Sequence, residues 1–275
     1  MQIDKEAFRK KVERLDNMPS VPGILDKFNE MVNDPTISMG QIGELIAQEQ
    51  MLAAKILKLV NSAFYGFPGR IGTITHALVL LGYDVVKGLI LSATVYDAMS
   101  DKWSEMWHHS LAVSKACGLI CEKRKIPDAE EVAMAGLLHD IGKVVFFMEL
   151  PDIYPKVING ANKHRLPLVL AERKLLGFDH TEVASWLCEH WYLPQRLSMP
   201  MIHHHDPEQS KNAFLNTSTV FLADNVVKAL GFGTSAGAKV MPVPPAVVEI
   251  LEIDRESLED LVKDLEKELQ FIESE

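Results

Sequence analysis

The chain has 275 residues, 47% of them apolar and 24% charged, with a formal net charge of −10. That length suffices for a substantial core in one large domain or two small ones, and the composition excludes a disordered or fibrous chain. The net acidity argues against a protein built to grip nucleic-acid phosphates, which needs a basic face, so no direct DNA binding is expected.

The opening run Met1-Gln2-Ile3-Asp4-Lys5-Glu6 lacks the apolar core of a signal peptide. Ser38-Met39-Gly40-Gln41 is a capping-box pattern, and Ile42, Leu45, Ile46, Leu52, Ile56, Leu57 and Val60 follow at helical spacing. The turn Gly66-Phe67-Pro68-Gly69 stops that run. The most membrane-like stretch, Ala77 to Val95, carries Asp84, Lys87 and two glycines. A charge near a bilayer centre costs roughly 3 kcal/mol, so a buried helix pair is expected there and no membrane partner. Polar residues between Ala98 and Glu105 mark a seam. Pro127-Asp128-Ala129-Glu130-Glu131 then starts a helix with Asp128 as N-cap. The segment Leu230 to Pro245 is rich in small residues and proline, and it leads to an acidic helix, Arg255 to Glu273. There Leu258, Leu261, Val262, Leu265, Leu269 and Ile272 share one face, expected to pack on the body of the protein.

No stretch alternates with period two between hairpin turns, so the fold class is all-α. Residues 1–100 are expected to form an N-terminal helical lobe, 101–232 a histidine-rich lobe, and 233–275 a Pro-rich linker with the acidic helix. Cys117, Cys121 and Cys188 are too few and too poorly spaced for a disulfide framework or a zinc site. They are expected to be buried thiols in a reducing cytoplasm.

Most of the ten histidines fall between positions 108 and 205. The run Leu137 to Val145 embeds His139, Asp140 and Lys143 in an apolar helical pattern. Burying such groups unpaired costs several kcal/mol each, roughly, and a metal with a phosphate ligand would compensate. A lone buried His-Asp pair is more often a structural hydrogen bond than a metal site. This pair is accompanied by His109, by His180 at a helix start, by the triplet His203-His204-His205, and by Asp224 within an apolar helix. Mixed histidine and carboxylate donors suit iron or manganese, with zinc or nickel as alternatives. His76, His164 and His190 are expected at the surface, Trp186 and Trp191 in the core, and Glu105 in an ordinary helical contact with His109.

His109, His139-Asp140 and Asp224 resemble the H…HD…D signature of the HD superfamily of metal-dependent phosphohydrolases. The wider chain resembles the HDOD family, the HD-related output domains of bacterial signalling. The marks are Met18-Pro19-Ser20-Val21-Pro22, Lys55 to Tyr65, Ile71 to Gly82, Gly177-Phe178-Asp179-His180 and Trp191-Tyr192-Leu193-Pro194. Glu49-Gln50 stands where the family usually has Asp-Pro, and the helix is expected to run on there. The resemblance implies an HD-like helical bundle with an N-terminal lobe. HDOD domains commonly lose metal ligands and act as interaction modules, whereas this chain keeps a candidate at every ligand position.

Likeness to the HD-GYP phosphodiesterases implies one or two cations, with His109, His139, Asp140 and Asp224 at the first. Asp140 would bridge to a second held by His180, His204 and His205, with His203 competing for one of those places. The Gly-Tyr-Pro motif is absent, as the chain reads Asp206-Pro207-Glu208 after His205. Asp140 and Lys143 are the expected catalytic groups, Lys143 neutralising charge on a phosphate. His108 and His203 are the candidate proton donors. The implied function is hydrolysis of a phosphoester of a nucleotide or related small molecule. The alternative is a non-catalytic module that passes a signal to a protein partner, its metal site being structural or sensing a ligand.

Overall fold

In the computed structural model the described residues are 3–14, 21–61, 71–98, 104–233 and 239–272, and all their regular elements are helical. The expected marks at positions 18–20 and 62–65, the turn at 66–69 and most of the seam, 99–103, lie outside them. The chain divides into two compact units, residues 16–98 and residues 1–15 with 99–275. The first helix, α1 (Lys5–Arg14), therefore belongs to the larger unit.

The smaller unit contains α2 (Val21–Val32), α3 (Met39–Gln48), α4 (Gln50–Val60) and α5 (Ile74–Ala98). Ser38 caps α3 reciprocally: its Oγ accepts from the Gln41 N–H, and the Gln41 side chain accepts from the Ser38 N–H. The helix does not run on through Glu49-Gln50 as expected. Glu49 has φ −87° and ψ 79°, and its N–H donates to Ile46 O, ending α3 before α4 begins. The break lets both helices dock on α5, with Ile42, Ile46, Ile56 and Val60 all fully buried. A single straight helix would carry one of those apolar pairs away from the core.

The apolar window Ile74–Ala93 in α5 is long enough to cross a membrane, yet 61% of it is buried within the protein. It is also a helix pair, as expected. Gly82 has φ 79° and ψ 172°, a conformation open essentially to glycine alone, and it kinks α5. Lys87 is buried and donates to Asn29 Oδ1 at 2.5 Å.

The larger unit continues with α6 (Ser104–Arg124), α7 (Ala129–Leu138), α8 (Ile141–Glu149), α9 (Tyr154–Lys163) and α10 (Leu168–Leu176). After these come α11 (His180–His190), α12 (Gln195–His203), a 3-10 turn (Pro207–Ala213), α13 (Phe214–Leu230), α14 (Pro245–Ile250) and α15 (Arg255–Ile272). Helix α6 packs against α7 and α13, α12 against α7 and α11, and α8 against α11. Phe8 of α1, Phe146, Phe178 and Trp186 form an aromatic cluster with ring centroids 5.1–6.4 Å apart, and Tyr154 stacks on Phe146 at 4.9 Å. Such pairs add about 0.5–1.5 kcal/mol each beyond area burial, and this cluster fixes α8 and α11 under the histidines. Trp191 is buried as well.

Asp128 occupies the N-cap of α7, but with φ 57° and no capping bond; its carboxylate instead accepts from Arg196 at 3.1 Å. The acidic helix α15 packs in cis on α6 through buried Leu261, Leu265 and Leu269, flanked by Lys115–Glu268 and Lys123–Asp264 ion pairs. Cys117, Cys121 and Cys188 are buried free thiols. Burial pushes Cys121 and Cys188 up to about 12.

Candidate metal centre

His139 and Asp140 do not lie inside one continuous helix, as the apolar run through them suggested. Helix α7 ends at Leu138, and Asp140, at φ −97° and ψ 13°, precedes α8. The two side chains therefore escape the roughly 100° divergence of helical neighbours, and both face the interior at the junction. One turn into α8, Lys143 Nζ donates to Asp140 Oδ2 at 2.7 Å. Asp179 caps α11 by accepting from the Thr181 and Glu182 N–H groups, and so presents His180 from the first residue of that helix. His204 and His205 follow the end of α12, His109 stands on α6, and Asp224 lies in the middle of α13.

The seven predicted ligands meet in one place. His109 Nε2 lies 3.1 Å and His139 Nε2 3.7 Å from Asp224 Oδ1, with His139 Nε2 3.2 Å from Asp140 Oδ2. On the other side of Asp140, its Oδ1 faces His180 Nε2 at 3.6 Å and His204 Nε2 at 3.7 Å. His205 Nε2 is 3.0 Å from His180 Nε2. His109, His139 and Asp224 form one potential three-ligand group, His180, His204 and His205 another, and His139, Asp140 and His204 a third that joins them. Within each group the ligand atoms lie within 4.8 Å of one another. The register left open in the triplet is resolved geometrically: His204 and His205 enter the cluster, and His203 is in none of the groups.

The rings are aimed by their other nitrogens. His139 Nδ1 donates to Gly136 O at 2.7 Å and His204 Nδ1 to Met201 O at 2.8 Å, leaving each Nε2 for the interior. His139 Nε2, His204 Nε2, Asp140 Oδ1 and His109 Nδ1 are buried without a hydrogen-bond partner. The 3.2 Å approach of His139 to Asp140 lacks the alignment of a hydrogen bond. Buried polar atoms are nearly always satisfied, and the three orphans of the group His139, Asp140 and His204 are what a divalent cation would satisfy; His109 Nδ1 is the ring nitrogen opposite the one turned to Asp224.

Burial opposes charge on Asp140, but His139 and Lys143 outweigh it and hold the carboxyl well below its usual range. Lys228, donating to Asp224 Oδ2 at 2.5 Å, does the same for Asp224 together with His109 and His139. Burial holds His204 and His205 neutral, well below the usual histidine value. At His139 burial is outweighed by Asp140 and Asp224, lifting it to about 9. A raised folded-state value stabilises the fold fully below pH 6.5 and less as pH rises through about 9. In chelator the wild-type protein is therefore expected to lose stability from pH 6.5 to pH 9 more than His139→Gln does, as urea denaturation at each pH would show.

His108 is exposed and stands apart from the buried cluster; His76, His164 and His190 are exposed, as is Glu105. His203 is half-buried. Three contributors went unpredicted. Lys228 was hidden by its separation from the histidine motifs. Gly142 is required because a Cβ there would stand 1.9 Å from His180 O, so only glycine lets α8 sit on the start of α11. Glu172 is fully buried and accepts from His180 Nδ1 at 2.5 Å and from Tyr154 Oη at 2.6 Å. Its signal was a carboxylate within the apolar run Leu168-Val169-Leu170-Ala171-Glu172.

A family model for the HDOD domain matches residues 18–207. The match takes in His109, His139, Asp140, His180, His204 and His205 and stops before Asp224, whose place rests on geometry. An uncharacterized protein of Treponema pallidum (strain Nichols) is 26% identical over 232 residues, 79% of this chain and 44% of that protein. The chain thus spans less than half the length of this curated relative. Among solved structures, a candidate phosphohydrolase from Shewanella amazonensis SB2B is 21% identical with a TM-score of 0.68, covering 96% of each chain. A candidate signal transduction protein from Marinobacter aquaeolei VT8 is 19% identical with a TM-score of 0.71, covering 98% of this chain and 65% of its own. At these identities the likeness is one of fold.

Proposed function

The chain belongs to the HDOD family, and from that premise we propose that it is a signalling protein whose larger unit holds a two-cation site for phosphoester hydrolysis. The observation that carries the proposal is the convergence of seven donors around three buried, unpartnered ligand atoms, His139 Nε2, His204 Nε2 and Asp140 Oδ1. His109, His139, Asp140 and Asp224 would hold one divalent cation, and His180, His204, His205 and the second oxygen of Asp140 the other. Iron or manganese suits this mixed set best, with zinc or nickel as alternatives. Cations in such a site supply Lewis acidity toward a phosphoryl oxygen and acidify water near neutral pH.

The remaining work falls to the chain itself. Lys143 fixes the Asp140 carboxylate and places a buried positive charge beside the reacting region, where it offsets charge on a phosphate. Lys228 does likewise for Asp224. With a lysine against each carboxylate, bound cations leave the pocket strongly positive, which draws an anionic phosphoester of a nucleotide or related small molecule into an acidic protein of the cytoplasm.

A second reading is favoured by the burial: six of the seven ligands are at most 2% exposed, and His205 alone is partly open. A shell this closed suits a structural or ligand-sensing metal in a module that signals to a protein partner. Elemental analysis of protein made without a histidine tag decides the metal, and two transition-metal ions per chain are expected. A panel of nucleotides, cyclic dinucleotides and simple phosphodiesters decides turnover, which His139→Ala should abolish. Metal content near zero sinks the proposal; full metal content without turnover favours the module.

A further inference from the structure

The two halves of the site differ in charge and in how their histidines are held. The half containing Asp224 has a carboxylate of its own. The half made by His180, His204 and His205 has three imidazoles and only a share in Asp140. Two of its rings are accounted for differently: His204 is aimed by a neutral backbone carbonyl, Met201 O, whereas His180 is aimed by a carboxylate. Glu172 is fully buried, and its Oε2 accepts from both the ring Nδ1 and the backbone N–H of His180, at 2.5 and 3.0 Å. Its Oε1 accepts from Tyr154, itself fully buried in the aromatic cluster.

A carboxylate taken this far out of water is expensive unless something requires its charge. Two donors from His180 and one from Tyr154 fix its position, and the ring between it and the ligand cluster transmits its negative charge. Hydrogen bonds from a ligating histidine to a carboxylate raise the basicity of the ligand nitrogen and fix its tautomer.

We propose that Glu172 is the positioning residue for the second cation alone: its buried charge, passed through His180, substitutes for the carboxylate that this half of the site lacks. The inference rests on the two-cation reading above. Tyr154 completes it by holding Glu172 against His180, so that the proton on Nδ1 leaves Nε2 directed toward Asp140 Oδ1.

The test is titration of the metal-free, full-length protein with Mn(II) alone, read by calorimetry and by the electron paramagnetic resonance signal of the bound ions. Wild-type protein is expected to take up two ions. Glu172→Gln keeps an acceptor oxygen for His180 and removes the charge. It should retain the first ion with unchanged affinity and bind the second roughly 10–100-fold more weakly, the usual effect of losing such a partner. Nitrogen NMR of the metal-free protein should show the His180 Nδ1–H retained, separating lost charge from lost geometry. Glu172→Asp keeps the charge while drawing it back from the ring, and covers the case in which the Gln variant does not fold. It should also weaken only the second ion. A purely structural role would move both affinities together or neither. Wild-type uptake of fewer than two ions overturns the two-cation reading and this inference with it. Two ions in wild type with both variants within about twofold of it overturns this inference alone.

Discussion

Asp140→Ala should leave a protein that retains neither of the proposed cations, with apparent affinity for Mn(II) down by at least about 100-fold and the proposed hydrolysis lost with it. Asp140 serves both halves: Oδ2 lies 3.2 Å from His139 Nε2, while Oδ1 lies 3.6 and 3.7 Å from His180 and His204. Asp140 forms the group that joins the halves, with His139 of one and His204 of the other. The substitution also removes the carboxylate facing Lys143, whose side chain is 1% exposed. Breaking a buried pair in this way costs about 3–5 kcal/mol, so the metal-free variant should unfold at clearly lower urea concentration than metal-free wild type. Asp140→Asn separates the two effects, since it keeps the shape and a hydrogen-bonding oxygen but not the charge. Metal content unchanged in the Ala variant would remove Asp140 from the centre of the site.

Gly142→Ala is the second large effect, and it adds one methyl group. That methyl would sit 1.9 Å from His180 O and 3.0 Å from His180 Cα. Both are backbone atoms, so no rotamer change relieves the overlap and α8 must move from α11. Overpacking of this kind costs about 1–3 kcal/mol, occasionally more. The displacement also separates Asp140, just before α8, from His180, at the start of α11, so the second cation should be lost before the first. Gly118→Ala is the control. It lies in α6 with nothing within 4 Å of the added Cβ, and replacing a helical glycine there should stabilise by about 0.5–1 kcal/mol. Urea unfolding and Mn(II) titration of the two variants side by side test this. A Gly142 variant as stable as the Gly118 variant would contradict the close approach.

Much of the site could be read from residue types. His139, Asp140 and Asp224 are costly groups set in apolar stretches, whereas the full set with His109, His180, His204 and His205 came from their accompanying positions and the resemblance to HD motifs. Local structure was less legible wherever docking overrode it. Glu49 ends α3 because two shorter helices seat four isoleucine and valine side chains on α5 better than one continuous helix. Asp128 stands at a helix start yet gives its carboxylate to Arg196, 68 residues away in sequence. The junction at His139-Asp140 carries a helical pattern because Leu137, Leu138, Ile141, Val144 and Val145 around it are apolar. The turn there is imposed by the packing of α8 on α11.

The sequence by itself determined the helical class and the buried thiols, because each follows from composition, spacing or the cost of burial, and the list of donors through its resemblance to the HD motifs. Which donors face which was decided only by the tertiary structure. The choice of His204 and His205 over His203, the two-sided role of Asp140, and the pairing of Lys228 with Asp224 and of Glu172 with His180 depend on helices brought together from far apart in the chain. Distances of 3 to 4 Å between such side chains are set by how close two backbones can come, and at Gly142 by a single missing methyl group.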